Sequence, residues 1–300
     1  MLNFLPSIVI SFFSFLLYIV NTIFWLIPII VFSLLKALIP ITLSRKLFSY
    51  LLDQMASNWV VFNTAIQKLF YRVNIQVDGL DELSMREWYL VLCNHQSWVD
   101  VTILQRVLHG QIPFLKFFLK RELIYVPLLG LAWWALDFPF MKRHSQAFLK
   151  KNPHLKGEDI KTTRKSCEKF KYKPVSIMSF IEGTRFTPAK QKKQNSPYQH
   201  LLKPKAGGIG FVLDAMGEHL TKIVNITIVY PDGIPSFYDF VCGNVKNVRV
   251  KIETSDVAKE LKGDYFNDRA FKINFQKHVN KMWEDKDTTF SMLSNLKKVN

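Results

Sequence analysis

Charge is missing from the start of this 300-residue chain: between Met1 and Leu35 there is no Asp, Glu, Lys or Arg. A helix of that whole stretch would run roughly 50 Å at 1.5 Å per residue, beyond the hydrocarbon core of about 30 Å. A break is therefore expected near Asn21–Thr22 or at Pro28. Either one tilted span overhangs the bilayer, or a helix–break–helix dips in and returns. A cleaved signal peptide fits poorly. No basic residue precedes the apolar run, the run is too long, and Asn21–Leu35 offers no polar small-residue cleavage site. Cysteine is scarce as well. The 3 cysteines, Cys93, Cys167 and Cys242, are odd in number and lack C-x-x-C spacing, which argues against a disulfide scaffold and a zinc ribbon. No G-x-S-x-G elbow is present, so no hydrolase-type serine nucleophile is signalled. Gly207–Gly208–Ile209–Gly210 lacks the third glycine of a dinucleotide fingerprint and reads as a helix start packed closely on a sheet. Internal repeats and low-complexity tracts are also lacking.

What is present is apolar material and positive charge. Hydrophobic residues make up 49% of the chain, enough to bury a core and to exclude a disordered, solvating protein. The first charges after the apolar run, Lys36, Arg45 and Lys46, are all basic, which places the rest of the chain on the cytoplasmic side. Residues 1–46 read as a membrane anchor. Residues 47–71 stay apolar at helical spacing and read as an amphipathic connecting helix at the interface, and 72–300 as the soluble domain. The net charge is +16, and residues 101–200 carry most of it, with 19 basic against 6 acidic side chains. A phosphate-bearing partner belongs there, unless the patch is simply a solvated face.

Arg72–Val77 alternates and reads as a strand, followed by a turn at Asp78–Gly79. Trp88–Cys93, Val175–Ile181 and Ile223–Val229 are continuous apolar runs of the kind buried strands show. Residues 98–109, Lys205–Gly217 and the Phe271–Trp283 region carry helical patterns, and Val248–Ile252 alternates. Strands interleaved with helices predict an α/β domain with a mixed, mostly parallel sheet flanked by helices. Residues 142–173 and 186–204 are basic and poorly patterned and read as insertions or surface loops.

The sharpest local feature is N-H-Q-S-W-V-D at 94–100, between a buried strand and a helix. It puts His95 at a strand's carboxyl end, where open α/β sheets keep their ligand crevices. A neutral imidazole suits general-base work near neutral pH, and a nearby carboxylate fixes its tautomer. Ser97-x-x-Asp100 also reads as a capping box, with the Ser97 hydroxyl on the amide of residue 100, and then Asp100 needs no catalytic role. Cys93 reads as inert packing. A base without its own nucleophile implies that a substrate hydroxyl attacks.

The second feature is E-G-T-R at 182–185, again after an apolar strand. Gly183 permits a tight turn, Thr184 offers a hydroxyl, and Arg185 presents a fork suited to phosphate oxygens. Glu182 is placed to orient that guanidinium; the bland alternative is a surface Glu–Arg pair on a strand-ending turn. The third feature, L-K-R-E-L-I-Y-V-P-L-L-G at 119–130, couples Lys120–Arg121 to an apolar run closed by Pro127 and Gly130. It suits a ligand with a phosphate head and an acyl tail, or a helix end with snorkelling basic residues.

Together these blocks resemble the glycerophospholipid acyltransferase family, the PlsC-like 1-acyl-glycerol-3-phosphate acyltransferases. Val229-Tyr230-Pro231 resembles the family's fourth block, and the order and spacing agree over roughly residues 70–235. L-K-R-E-L, F-P-F-M-K-R and E-G-T-R-F-T are most similar to the bacterial YihG-type probable acyltransferases. The resemblance implies that His95 is the base, Asp100 its partner, and that Glu182, Gly183, Thr184 and Arg185 hold the glycerol phosphate, with Lys120 and Arg121 adding charge. It further implies an inner-membrane enzyme without cofactor or metal, taking acyl-CoA or acyl-carrier protein as donor and a lysophospholipid as acceptor. A backbone N–H at 97–99 would receive the oxyanion. Ile181 stands where the family has Pro, and Tyr230 where it has Val, which puts the turn and the substrate selection in question. Two rivals remain. A membrane-tethered basic module for nucleic acid or anionic lipid explains the charge but not the ordered blocks, and the aromatics at 138–172 are too irregular for base stacking, so no nucleic-acid partner is expected. A lipid phosphate hydrolase would need a nucleophile or metal cluster.

Overall fold

The computed structural model describes residues 4–39, 41–127, 129–141, 167, 170 and 173–296. Most of the predicted insertion at 142–173 therefore lies outside the described residues. Four apolar strands side by side and parallel form the centre of the domain: β7 (Lys222–Val229), β2 (Tyr89–Cys93), β6 (Ser176–Ser179) and β3 (Leu115–Phe117). The six-stranded sheet runs β1-β8-β7-β2-β6-β3, with β1 (Asn74–Asp78) parallel to β8 (Asn247–Asp256) and only the β7–β8 pair antiparallel. The mixed, mostly parallel sheet is thus as the sequence indicates. A two-stranded ribbon joins β4 (Leu119–Lys120) and β5 (Phe140–Met141).

Strand β2 is apolar at every position because both of its faces are covered. Leu90 and Leu92 point toward the glycine-rich helix Ala206–Met216 and the C-terminal helix Arg269–Asn295, packing with Ile209, Phe275 and Trp283. Val91 and Cys93 point the other way, toward Ile103, Leu104 and Leu108 of the helix Val99–Leu108. The result is a helix–sheet–helix sandwich. The glycine run does serve close packing, since a Cβ on Gly210 would lie 2.6 Å from the Tyr265 ring.

The N-terminal segment differs from expectation. Helix α1 (Ser7–Leu38) runs unbroken through Asn21–Thr22 and Pro28 and ends only at Leu38. Asn21 is not a break because a partner helix satisfies it. Its amide donates to Asn63 Oδ1 (2.9 Å) and to the Trp59 carbonyl (3.1 Å) of α2 (Thr42–Phe70). Phe32 meets Phe48 further along, so the two helices form an antiparallel hairpin. Helix α1 is long and apolar enough to cross a membrane by length and composition. Its outer face carries exposed Phe12, Phe24, Ile27 and Leu38, and α2 adds Leu43, Leu47 and Phe62. The hairpin is fastened to the domain. Ser14 Oγ donates to the Val241 carbonyl (3.0 Å), Asp53 pairs with Lys116 and Lys173, and Lys36 pairs with Asp137.

Residues 186–204 are not a plain surface loop. Thr187 caps a helix at Pro188–Lys193, and Tyr198, Leu201 and Leu202 are buried. The Asp287 carboxylate accepts from the amides of Gln199 and His200, and Trp283 Nε1 donates to the Leu202 carbonyl, strapping the segment to the C-terminal helix. Three buried residues and these bonds outweigh the segment's polar composition.

One glycine is required at the Asp78–Gly79 turn. Gly79 has φ +91°, and a Cβ there would lie 1.9 Å from the Ile252 carbonyl oxygen. Gly79→Ala is expected to cost at least about 2 kcal/mol, since both backbone conformation and backbone contact oppose it. Thermal unfolding of the two proteins checks this.

Candidate active site

All four motif blocks lie at the carboxyl ends of neighbouring parallel strands. N-H-Q-S-W-V-D follows β2, E-G-T-R follows β6, Tyr230 follows β7, and the Lys120 block comes just beyond β3. Parallel pairing brings these distant stretches to one edge.

The first block folds by occupying its own polar groups. Asn94 pairs with Ile228 through both ends of its amide, at 2.9 Å each, which extends the β2–β7 ladder by one side chain. Gln96 Nε2 donates to the same Ile228 carbonyl (2.7 Å). Ser97 Oγ donates to the Pro235 carbonyl and accepts from the Val99 amide (3.2 Å). Asp100 is fully buried and turns back over the corner. Its Oδ2 accepts from the amides of Gln96 (2.7 Å) and Ser97 (2.9 Å) and meets His95 Nδ1 at 2.8 Å. Its Oδ1 accepts from the Tyr230 hydroxyl at 2.7 Å. The expected cap from Ser97 to residue 100 is thus replaced by the reverse arrangement, in which the carboxylate caps the corner and holds the imidazole at once. An ionised carboxylate only accepts, so Nδ1 is the protonated nitrogen and Nε2 keeps its lone pair. Phe180 stacks on the ring at 4.0 Å between centroids.

Glu182 is placed differently from the sequence reading. It is wholly buried, and no ion pair joins it to Arg185. Oε1 accepts from the His95 amide (2.9 Å) and Oε2 from the Leu202 amide (3.0 Å). The chain just after the turn closes the clamp, with the Phe186 amide donating to the His95 carbonyl at 2.7 Å. Burial raises the Glu182 carboxyl to about 7, against the lowering by its two amide donors.

The other residues of the turn face outward. Gly183 has φ +72° and closes a turn onto the Phe180 carbonyl (2.9 Å). Thr184 Oγ1 accepts from Lys190 Nζ (2.8 Å), which also reaches the Arg185 carbonyl. The Arg185 guanidinium lies 5.0 Å from the ring centre of exposed Trp98, joining the E-G-T-R turn to the N-H-Q-S-W-V-D corner. Lys205 lies across the turn, 2.8 Å from where a Cβ on Gly183 would be. Arg121 is exposed at the start of a 3₁₀ helix, Arg121–Tyr125, and Lys120 ends β4. Arg121 shares no hydrogen bond with His95, Asp100 or the E-G-T-R turn among the described residues. Gly130 is required here, because a Cβ would sit 2.1 Å from the Ile124 carbonyl oxygen.

Two nucleophile candidates are spent on structure. Cys93 is buried, and burial pushes its thiol well above its usual range. The Ser97 hydroxyl is held by Pro235. Of the amides expected to meet an oxyanion, Ser97 gives its N–H to Asp100 and Val99 to Ser97 Oγ, while the Trp98 amide has no partner among the described residues. Tyr230, Asn94, Gln96, Lys190 and Lys205 were not assigned these contacts by the sequence. The oddity of Tyr in the fourth block was the one available signal.

A family model described as Acyltransferase matches residues 74–231. Among curated proteins, the chain is 22% identical over 200 residues to mouse 1-acyl-sn-glycerol-3-phosphate acyltransferase epsilon, covering 58% of this chain and 52% of that protein. It is 30% identical over 181 residues to 1-acyl-sn-glycerol-3-phosphate acyltransferase 3 of Arabidopsis thaliana, covering 55% and 44%. The chain thus spans about half the length of the curated relatives it matches. The crystal structure of the 1-acyl-sn-glycerophosphate acyltransferase PlsC from Thermotoga maritima has the same fold, with a TM-score of 0.58 at 16% identity over 97% of this chain and 98% of that one.

Glu182 yields a pH test. Its folded-state value of about 7 lies above the ordinary 4.5, so the folded protein holds the proton more tightly than the unfolded chain. Its contribution to stability is fully present below about 4.5 and is lost as the pH rises through about 7. Glu182→Gln removes this titration. The melting temperature of the wild type should fall relative to the variant between those limits, and a constant difference would refute the assignment.

Proposed function

This chain belongs to the acyltransferase family, and we propose that it transfers a fatty acyl group from an acyl thioester to the free hydroxyl of a lysophospholipid. The acceptor we assign is 1-acyl-glycerol-3-phosphate and the product phosphatidic acid, with acyl-CoA or acyl-carrier protein as donor. The observation that carries the reading is the His95–Asp100 pair, with Nδ1 held at 2.8 Å and Nε2 left as the base.

In this mechanism Nε2 of His95 removes the acceptor's hydroxyl proton as that oxygen attacks the thioester carbonyl. A tetrahedral oxyanion forms, and of the amides at 97–99 the Trp98 N–H, unpartnered among the described residues, is the one left to receive it. Collapse breaks the carbon–sulfur bond, and the imidazolium returns its proton to the leaving thiolate. Asp100 stabilises the imidazolium while it exists. The buried state of Cys93 and the occupied Ser97 hydroxyl favour direct transfer over an acyl-enzyme. Arg185, with its planar fork, together with Gly183 and Thr184 would hold the acceptor phosphate, aided by Lys120 and Arg121. Glu182 serves one layer inward, holding the His95 backbone. The apolar face of the helical hairpin would lie against the bilayer. The basic Lys36, Arg45 and Lys46 put the domain on the cytoplasmic side, in our reading of a bacterial inner-membrane protein of the YihG type. The anchor and connecting helix, residues 1–71, would bring the lipid acceptor to the acyltransferase domain, residues 72–300.

Thioester consumption by membranes holding the full chain, tested against a panel of lysophospholipids, checks the reading. His95→Ala should lower turnover at least about a hundredfold with the fold intact. Transfer that persists in folded His95→Ala would favour a lipid-binding module with a contaminating activity. Arg185→Lys should raise the apparent KM for the lysolipid severalfold and leave that for the thioester unchanged, because an ammonium does not replace a bidentate fork. The opposite pattern would move Arg185 to the donor side.

A further inference from the structure

The proposed chemistry leaves one polar contact of the site without a role. Three of the donors on Asp100, the His95 ring and the amides of Gln96 and Ser97, converge on Oδ2, and they all come from the same strand–helix corner. Oδ1 is held by a single group from elsewhere, the Tyr230 hydroxyl, at 2.7 Å and 130 residues away in sequence. Tyr230 is 6% exposed and follows β7 directly.

We propose that Tyr230 is a positioning residue that fixes the plane of the Asp100 carboxylate and, through it, lowers the basicity of His95. The inference rests on the reading of His95 as the base. Two physical effects carry it. Without a donor on Oδ1 the carboxylate could rotate about its Cβ–Cγ bond, and the imidazole hydrogen bond would lose its direction. A donor on Oδ1 also withdraws charge from the carboxylate, so Asp100 stabilises an imidazolium less than it would with three donors. Burial and the adjoining carboxylate keep the phenol from ionising, so it remains a donor at every working pH.

Other groups face the same pair. Glu182 from the E-G-T-R turn bonds the His95 amide, Cys93 lies at the end of β2, Lys286 reaches the Ile226 carbonyl from the C-terminal helix, and Arg185 lies over Trp98. Glu182 and Lys286 titrate near neutrality, with burial raising the first to about 7 and lowering the second to about 8. Deleting one phenol oxygen leaves all of them in place, so a changed profile reports on Tyr230.

The test uses the full-length protein in phospholipid vesicles with saturating lysolipid and a long-chain acyl-CoA. Tyr230→Phe removes the donor, and 3-fluorotyrosine at position 230 keeps the shape and strengthens it. In Tyr230→Phe, kcat should fall roughly tenfold, KM for both substrates should stay within about twofold, and the acid limb of kcat/KM should move to higher pH by about half a unit or more. The fluorotyrosine protein should move the limb to lower pH. Coincident limbs in all three proteins, or a loss in Tyr230→Phe that follows its melting temperature without a limb shift, would overturn the inference. If Tyr230→Phe does not fold, the direction of the fluorotyrosine shift decides alone. His95→Ala assayed alongside separates the two readings. Activity there sinks the general base itself, whereas an inactive His95→Ala with coincident limbs sinks only the role of Tyr230.

Discussion

A buried carboxylate must find as many hydrogen bonds as it has lone pairs facing protein, and Asp100 organises the site by meeting that demand. Its donors are two backbone amides, one imidazole and one phenol, from two segments at the ends of adjacent strands. Move either strand end and the charge is left underpaired in a low-dielectric interior. The same requirement that keeps the corner folded therefore keeps the imidazole aimed. Capping and orienting, which look like competing explanations from the spacing alone, are one arrangement here.

The E-G-T-R turn shows a similar economy with two faces. Its glutamate points into the protein and grips the backbone of His95 and Leu202, while its threonine and arginine point out among Lys190, Lys205 and Trp98. The inward bonds set the distance between the outer cations and the imidazole. Sequence alone does not separate these faces, because Glu182 and Arg185 are three apart and suggest a pair. The fold puts them on opposite sides of a turn whose Gly183 has a positive φ.

Much of the architecture was legible because buried parallel strands advertise themselves. The runs at Trp88–Cys93, Val175–Ile181 and Ile223–Val229 each contain an observed strand, and the heptad does sit at a strand-to-helix corner. The heptad's spacing suggests His95 and Asp100 as neighbours, and the structure brings them to 2.8 Å. What was not legible is whatever depends on a distant partner. Asn21 looked like an interruption because Asn63 is invisible from its own helix. Residues 186–204 looked like a loop because Asp287 and Trp283 lie far along the chain. The contact from Tyr230 spans 130 residues, beyond the reach of any periodicity.

That separation also sets an order in time. The hairpin helices precede the domain in the chain, and their apolar face is formed while most of the domain is still untranslated. Asp100 emerges next, with one carboxylate oxygen lacking its partner. At about 5–20 residues per second, the 130 residues to Tyr230 take roughly 7–26 s. Strand β7, which pairs with β2 and carries the Asn94 contacts, arrives in the same interval. The apolar hairpin therefore precedes by seconds the phenol that completes the Asp100 corner.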